Sequence, residues 1–290
     1  MKPLSFVLAT MALVSAAPAW AAPPASTELD VPYVPGGGHK QQLDLYLPDN
    51  PGFATVLLVH GGSLDSGDRK EAPFPALCQT FRSAGFACAA ASYRLFPDHP
   101  WPAAIQDVAA AFAWLKRNIA ARGGNPARIF LLGHSSGARL VSLLAADQNH
   151  LRAHGLSAQD IAGCVSMGSI LHIEHKLAEA KDRLPEEIAR GFEASREGKL
   201  YGSFRAYHDS WAFYHVGRHL PPMLLLVAEE EIEHPPILAH SQDFTRAAER
   251  AGASVRVEVL QGRTHMSAIE KMTDPSDPTF LLVVSFLRGQ

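Results

Sequence analysis

Three things are scarce in this chain, and each scarcity removes a class of explanation. Cysteine occurs three times in 290 residues, at Cys78, Cys88 and Cys164, too few and too irregularly spaced for a disulfide scaffold or a zinc site. Clustered basic charge is missing: 26 lysines and arginines against 29 acidic residues leave a formal net charge of −3. With no stripe of cations to track a phosphate backbone, no nucleic-acid partner is expected. Membrane-length apolar segments are missing too, since the N-terminal apolar run 4–17 is too short for a stable span.

That run has another meaning. It follows Lys2 and leads into Pro18 and the small-x-small triplet Ala19-Trp20-Ala21, the layout of a cleavable secretory leader. Cleavage after Ala21 puts alanine at both small-residue positions, whereas cleavage after Ala22 would put Trp20 at one of them. The expectation is a signal peptide over 1–21, a mature chain starting near Ala22, export to the periplasm or medium, and no membrane span once the leader is removed. No cysteine follows the run, so a lipid anchor is not indicated. In an oxidising compartment Cys78 and Cys88 are the pair to consider. Cys88 and Cys164 also lie in strand-like apolar runs and suit small core positions equally well.

What the chain does contain, near its middle, is a strand, a sharp turn and a helix. Residues 129–132 form an apolar run of strand length, and from Ala138 the apolar positions Leu140, Val141, Leu143 and Leu144 recur at helical spacing. Between them stands Gly133-His134-Ser135-Ser136-Gly137, a G-x-S-x-G pattern. Such a turn holds its serine in strained backbone geometry with the hydroxyl presented at the end of a sheet. Side chains at Gly133 and Gly137 would strike neighbouring backbone. Ser135 also stands at a helix N-terminus, where free N–H groups favour developing negative charge.

The remainder alternates strand and helix, as expected of one α/β domain. Stretches 28–34 and 41–47 flank the glycine-rich 35–38 as a hairpin of edge strands. The continuous apolar run 55–59 suits a parallel strand covered on both faces, and it ends in His60-Gly61-Gly62-Ser63. Glycines at that point let backbone donors approach a substrate closely. A helix near 75–84, a strand over 86–91 and a helix opened by Pro102 and stopped by Gly123-Gly124 follow. Asp107 on that helix reads as a structural hydrogen-bonding residue. After the strand 161–167, the stretch 169–219 has no strand-like run. It holds helix-like pieces at 174–183 and 185–196 and the aromatics Tyr201, Phe204, Tyr207, Trp211, Phe213 and Tyr214, each best read singly as packing. His172 and His175 lack the partners of a metal motif and read as surface residues, so no metal is expected. Strands 223–227 and 254–260, the helix 236–250 between them and a helix capped at Asp277-Pro278 complete the chain.

In chain order the reactive candidates are Ser135, an acid among Glu229, Glu230, Glu231 and Glu233, and His265, each beyond a strand. A nucleophilic serine needs a base for its proton and an anion to hold the imidazole in the right tautomer. The motifs H-G-G-S at 60–63, Y-R-L at 93–95 with its following prolines, G-H-S-S-G-A at 133–138 and G-x-x-H-M at 262–266 resemble the carboxylesterase branch of the α/β-hydrolase superfamily. Within it they are most similar to hormone-sensitive-lipase-like, feruloyl and acetyl-xylan-esterase-like and kynurenine-formamidase-like members.

The resemblance covers nearly all of 22–290. It implies a single α/β-hydrolase domain: a mostly parallel eight-stranded sheet flanked by helices, with a helical insertion at about 169–219 over the active site. It implies a triad of Ser135, Glu231 and His265, oxyanion donors from Gly62, Ser63 and Ser136, motif support from His60, Gly61, Gly133, His134 and Gly137, and no cofactor. Glu231 is preferred because such families place the acid on the third residue after a small one, here Ala228; its neighbours read as charges that keep a surface loop solvated. Ser63 replaces a commoner third glycine, and Glu231 stands where aspartate is usual. The implied activity is hydrolysis of small to medium acyl esters, with a small-molecule ester as partner, through an acyl-enzyme. Aryl-formamide hydrolysis by the same triad is the alternative. A non-catalytic binding protein on this scaffold is disfavoured by the presence of all three triad types.

Overall fold

The computed structural model describes residues 25–173, 185–233 and 235–289. The expected leader at 1–21, the helix-like piece at 174–183 and His175 lie outside the described residues. Eight strands, β1 (Ser26–Pro32), β2 (Gln42–Leu47), β3 (Phe53–Val59), β4 (Ala87–Ala91), β5 (Gly124–His134), β6 (Gly163–Met167), β7 (Met223–Ala228) and β8 (Val255–Leu260), pair in one sheet. Their order is β1-β2-β4-β3-β5-β6-β7-β8. β2 is antiparallel to β1 and β4, and all other pairings are parallel.

The sequence dictates which strands lie inside. β3, β4, β6 and β7 are buried at every residue, so they must sit between two helical layers. The described helices are α1 (Phe74–Ser83), α2 (Ala103–Asn118), α3 (Ser136–Ala146), α4 (Asn149–Arg152), α5 (Pro185–Ala194), α6 (Arg196–Tyr201), α7 (Phe204–Asp209), α8 (Ile237–Arg250), α9 (His265–Glu270) and α10 (Pro278–Arg288). Side-chain alternation along β3 divides the core. Leu57 and Val59 join Ile105, Phe112, Leu140 and Leu144 under α2 and α3, while Val56 and Leu58 join Leu77, Phe81, Phe280 and Val283 under α1 and α10. The α/β class, the eight strands and the flanking helices are as the sequence predicts. So is the cap of α10, where Asp277 accepts the Thr279 N–H at 2.8 Å.

Because β3, β5, β6, β7 and β8 are parallel, their C-terminal ends and following loops gather on one side, the usual place for a site in an open α/β sheet. α5 to α7 lie between β6 and β7. Tyr201, Tyr207 and Trp211 from this stretch are buried in the core beneath α2 and α3 and Phe213 and Tyr214 pack partly against it, whereas Phe204 is exposed. Asp107 is structural as well: its carboxylate accepts from Arg94 Nε and a terminal guanidinium nitrogen of Arg94, each at 2.8 Å, and from Gln41 Nε2 at 2.8 Å.

His172 is not the surface residue its sequence context suggests. His172 is 4% exposed, stacks on His240 with ring centroids 4.0 Å apart, and places Nε2 3.1 Å from Asp243. It is a core residue, drawn in by its buried neighbours Leu171 and Ile173.

Cys78 of α1 and Cys88 of β4 are bridged, and Cys164 is free and buried. The bridge closes a loop of sequence separation 10, for which chain-entropy arguments give about 2–3 kcal/mol of stabilisation. Denatured but unreduced protein is therefore expected to titrate one thiol, and the Cys78→Ala/Cys88→Ala protein to unfold at lower urea concentration, its unfolding free energy smaller by that amount. Three titrated thiols would remove the bridge.

Candidate active site

Ser135 has φ 56° and ψ −125°, a conformation that L-residues avoid. Its N–H donates to the Met167 carbonyl at 2.9 Å, and its carbonyl accepts the Arg139 N–H at 3.1 Å. The glycines act as the sequence argues. A Cβ on Gly133 would come within 2.4 Å of the Gly137 carbonyl, and one on Gly137 within 2.3 Å of the Val59 carbonyl oxygen. The turn is thereby pressed against the end of β3.

The loop beyond β3 is equally constrained. A Cβ on Gly61 would meet Ser135 Cβ at 3.0 Å, and one on Gly62 would meet the Ser66 carbonyl at 2.2 Å. Gly62, Ser63 and Leu64 have successive φ values of 108°, 54° and 67°. His60 stacks on Tyr93 with centroids 4.3 Å apart, and its Nδ1–H donates to the Gly61 carbonyl at 2.7 Å. Behind the loop, Arg69 is buried with all five N–H donors engaged: Nε on Asp44 at 3.0 Å, and the others on His39 O, Ser92 Oγ, Gln42 Oε1 and Asp30.

Past β7 the chain makes a 3-10 turn, Glu229–Glu231. Glu231 is 2% exposed; one carboxylate oxygen accepts the Ala228 N–H at 2.9 Å and the other lies 2.5 Å from His265 Nδ1. Its neighbours do more than solvate the loop. Glu230 accepts the His265 backbone N–H, and Glu229 accepts the Gly262 N–H at 2.6 Å. Both carboxylates clamp the segment that carries His265, a role that periodicity and charge counting do not disclose. Glu233 is exposed. On the opposite side, His134 Nε2 donates to the His265 carbonyl at 2.9 Å.

Gly168, which the sequence reading passed over, closes this group. It has φ +67°, and a Cβ there would sit 2.9 Å from Glu231 Oε1 and 3.0 Å from His265 Nδ1. The available signal was a lone glycine directly after an apolar strand.

Ser63, Ser135, Ser136, Glu231 and His265 line a single cavity of about 500 Å³, whose other wall includes Arg139, Tyr201, Tyr207 and Trp211. Gly62 adjoins it, while His60, Gly61, Gly133, His134 and Gly137 lie behind as backbone support. A serine hydroxyl and a carboxylate-backed imidazole facing one cavity are what activation of an oxygen nucleophile requires. Among the described residues no helix is long and apolar enough to cross a membrane.

A model of the BD-FAE family matches residues 43–231. The chain is similar to Esterase LipQ of Mycobacterium tuberculosis, 29% identical over 78% of this chain and 53% of that one, so it spans about half the length of that relative. It is also similar to an ethyl acetate hydrolase of Pseudomonas putida, 28% identical over 87% of this chain and 79% of that one. Among solved structures, a truncated carbohydrate esterase from gut microbiota superposes with a TM-score of 0.73 at 17% identity, covering 94% of this chain and 98% of that one. At that identity the likeness is one of fold.

Burial lowers both His60 and His134 to about 4 from an ordinary 6.5. The unfolded chain therefore binds protons that the folded chain refuses, and the stability these rings contribute is present above pH 6.5 and lost as pH falls toward 4. The slope is about 1.4 kcal/mol per pH unit for each ring. Urea midpoints should fall across that window, and His134→Gln should flatten the fall by about one proton. An identical pH slope in His134→Gln would contradict the assignment.

Proposed function

The chain belongs to the BD-FAE family, in the carboxylesterase branch of the α/β-hydrolases, and from that premise we propose that it is a serine esterase acting on small to medium acyl esters. The observation that carries the reading is the buried Glu231 carboxylate on His265 Nδ1, in the cavity that Ser135 faces. The cavity volume of about 500 Å³ suits such substrates, and relatives named as esterase and ethyl acetate hydrolase agree with it.

In this mechanism Ser135 Oγ attacks the ester carbonyl carbon while its proton passes to His265 Nε2, and Glu231 stabilises the imidazolium. Backbone N–H groups of Gly62, Ser63 and Ser136 receive the oxyanion. Collapse of the tetrahedral species breaks the bond to the alcohol oxygen, which takes the proton from His265. Water then gives a proton to His265 and attacks the acyl carbon, and a second collapse returns that proton to Ser135 Oγ.

The kinetic expectation is faster hydrolysis of p-nitrophenyl acetate or butyrate than of long-chain esters, with activity abolished in Ser135→Ala. Glu231→Gln should lower kcat on the order of 10⁴-fold. Glu230→Gln should lower it about tenfold, through the lost charged acceptor for the His265 N–H, and Glu233→Gln should remain near wild type. Equal rates for Glu231→Gln and Glu233→Gln, with folding verified by circular dichroism, would reject the triad. An aryl formamide in the same panel, cleaved in place of every ester, would move the assignment to amide hydrolysis.

We further propose export, supported by Ala19-Trp20-Ala21 and by the Cys78–Cys88 bridge. Intact mass of the protein from the periplasm or medium is expected to start at or near Ala22. Uncleaved chain confined to the cytoplasm would overturn this.

A further inference from the structure

Two cations line the cavity, and the structure uses them differently. Arg196 is committed: its guanidinium donates to Asp65 at 2.6 Å and to the Ser63 carbonyl. Arg139 has no such partner. It sits one turn into α3, with its N–H on the Ser135 carbonyl at 3.1 Å, and both residues line the same cavity. The guanidinium lies over Trp211 at 3.5 Å from the ring centroid, with the Tyr201 and Tyr207 rings at 5.2 and 5.8 Å. One terminal nitrogen donates to Ser210 Oγ at 2.5 Å.

Stacking occupies the face of a guanidinium and leaves the in-plane N–H fork, which matches a carboxylate edge. Among the described residues no carboxylate oxygen comes within 4.0 Å of Arg139, even though Glu197, Glu230 and Glu231 line the same cavity. Glu231 is held by His265 and Ala228, and Glu230 by the His265 N–H. The half-buried charge of Arg139 therefore faces the substrate space without a fixed counter-ion. A monoanion fits this wall better than a dianion, which the catalytic-side carboxylates would repel.

Resting on the esterase reading for the reaction itself, we propose that Arg139 is a specificity residue and that the site takes esters bearing a free carboxylate in the acyl or the alcohol part. The carboxylate pairs with the guanidinium fork while the ester carbonyl lies at Ser135, one helical turn away. Two probe pairs test this: monoethyl glutarate against ethyl pentanoate for the acyl side, and 4-acetoxybenzoate against 4-methylphenyl acetate for the alcohol side. The readout is the ratio of kcat/KM for the anionic to the neutral member. Wild type is expected to favour the anionic member in at least one pair. Arg139→Met should lower that ratio at least tenfold, mainly through KM, and Arg139→Lys should fall between the two because it keeps the charge without the fork.

A residue that merely anchors the 169–219 stretch would lower both rates together and leave the ratio unchanged, and that result overturns the proposal. So does a wild-type ratio at or below one in both pairs. A catalysis-free arm separates this inference from the one it rests on. Monoethyl glutarate, a monoanion, is expected to raise the Tm of the Ser135→Ala protein and to leave Ser135→Ala/Arg139→Met unmoved. That result with no ester hydrolysed by wild type would keep the anion site and discard the esterase. Hydrolysis of the neutral esters with no Arg139-dependent Tm shift and no change of ratio would keep the esterase and discard the anion site.

Discussion

The closeness of the Ser135 turn to the end of β3 is the constraint on which the rest of the site depends. A side chain at Gly137 would have to displace either the Val59 carbonyl or the start of α3, and either shift would separate Ser135 from the loop at 61–64. The turn also carries Ser135 at positive φ and ψ −125°, a strain of about 1–3 kcal/mol. That strain is outweighed locally. Leu140, Val141, Leu143 and Leu144 of α3 are all essentially fully buried, and each such side chain contributes about 1.5–3 kcal/mol. The helix is held by its packing, and the serine takes the geometry the helix imposes.

The loop beyond β3 meets the same problem with a different solution. Three successive positive φ values, two of them at non-glycine residues, are supported there by one buried apolar side chain, Leu64, at 4% exposure. Arg69 supplies the anchor. A buried guanidinium is destabilising when donors lack partners, but here Asp44, Asp30, Gln42, Ser92 and the His39 carbonyl take all five. Those acceptors come from the β1–β2 hairpin region and from the segment after β4, so the edge of the sheet anchors the far end of the loop that carries Gly62 and Ser63.

How far the sequence could be read follows from the range of each interaction. Strands such as β3 and β7 announce themselves because burial on both faces demands an unbroken apolar run, and the Ser135 turn because sterics demand glycine at two fixed offsets. Contacts that join distant segments leave no local trace. Glu229 and Glu230 look like solvated loop charges until β8 brings Gly262 and His265 beside them. His172 looks exposed until α8 supplies His240 and Asp243. Gly168 is one glycine among 22 until Glu231 and His265 converge on it, and Arg139 is one polar position of a helix until Trp211 stacks against it.

These dependencies sort the cavity lining into two groups of contacts. The Glu231–His265 pair is held entirely by loops at the ends of β5, β6, β7 and β8: Ala228, Glu230, His134 and Gly168 provide its contacts, and none belongs to α5, α6 or α7. The recognition wall is held by Ser210, Trp211, Tyr201 and Tyr207 against Arg139. α3 joins the two, with Ser135 as its N-cap and Arg139 four residues on, and Arg196 of α6 adds a link to Ser63 and Asp65 of the loop after β3. A change in α7 or in the segment that carries Ser210 and Trp211 therefore reorients Arg139 while leaving the contacts of Glu231 and His265 in place. The reverse does not hold, because any shift of the Ser135 turn moves α3 and carries Arg139 with it. The constraint accordingly runs in one direction, from the Ser135 turn outward to the Arg139 wall.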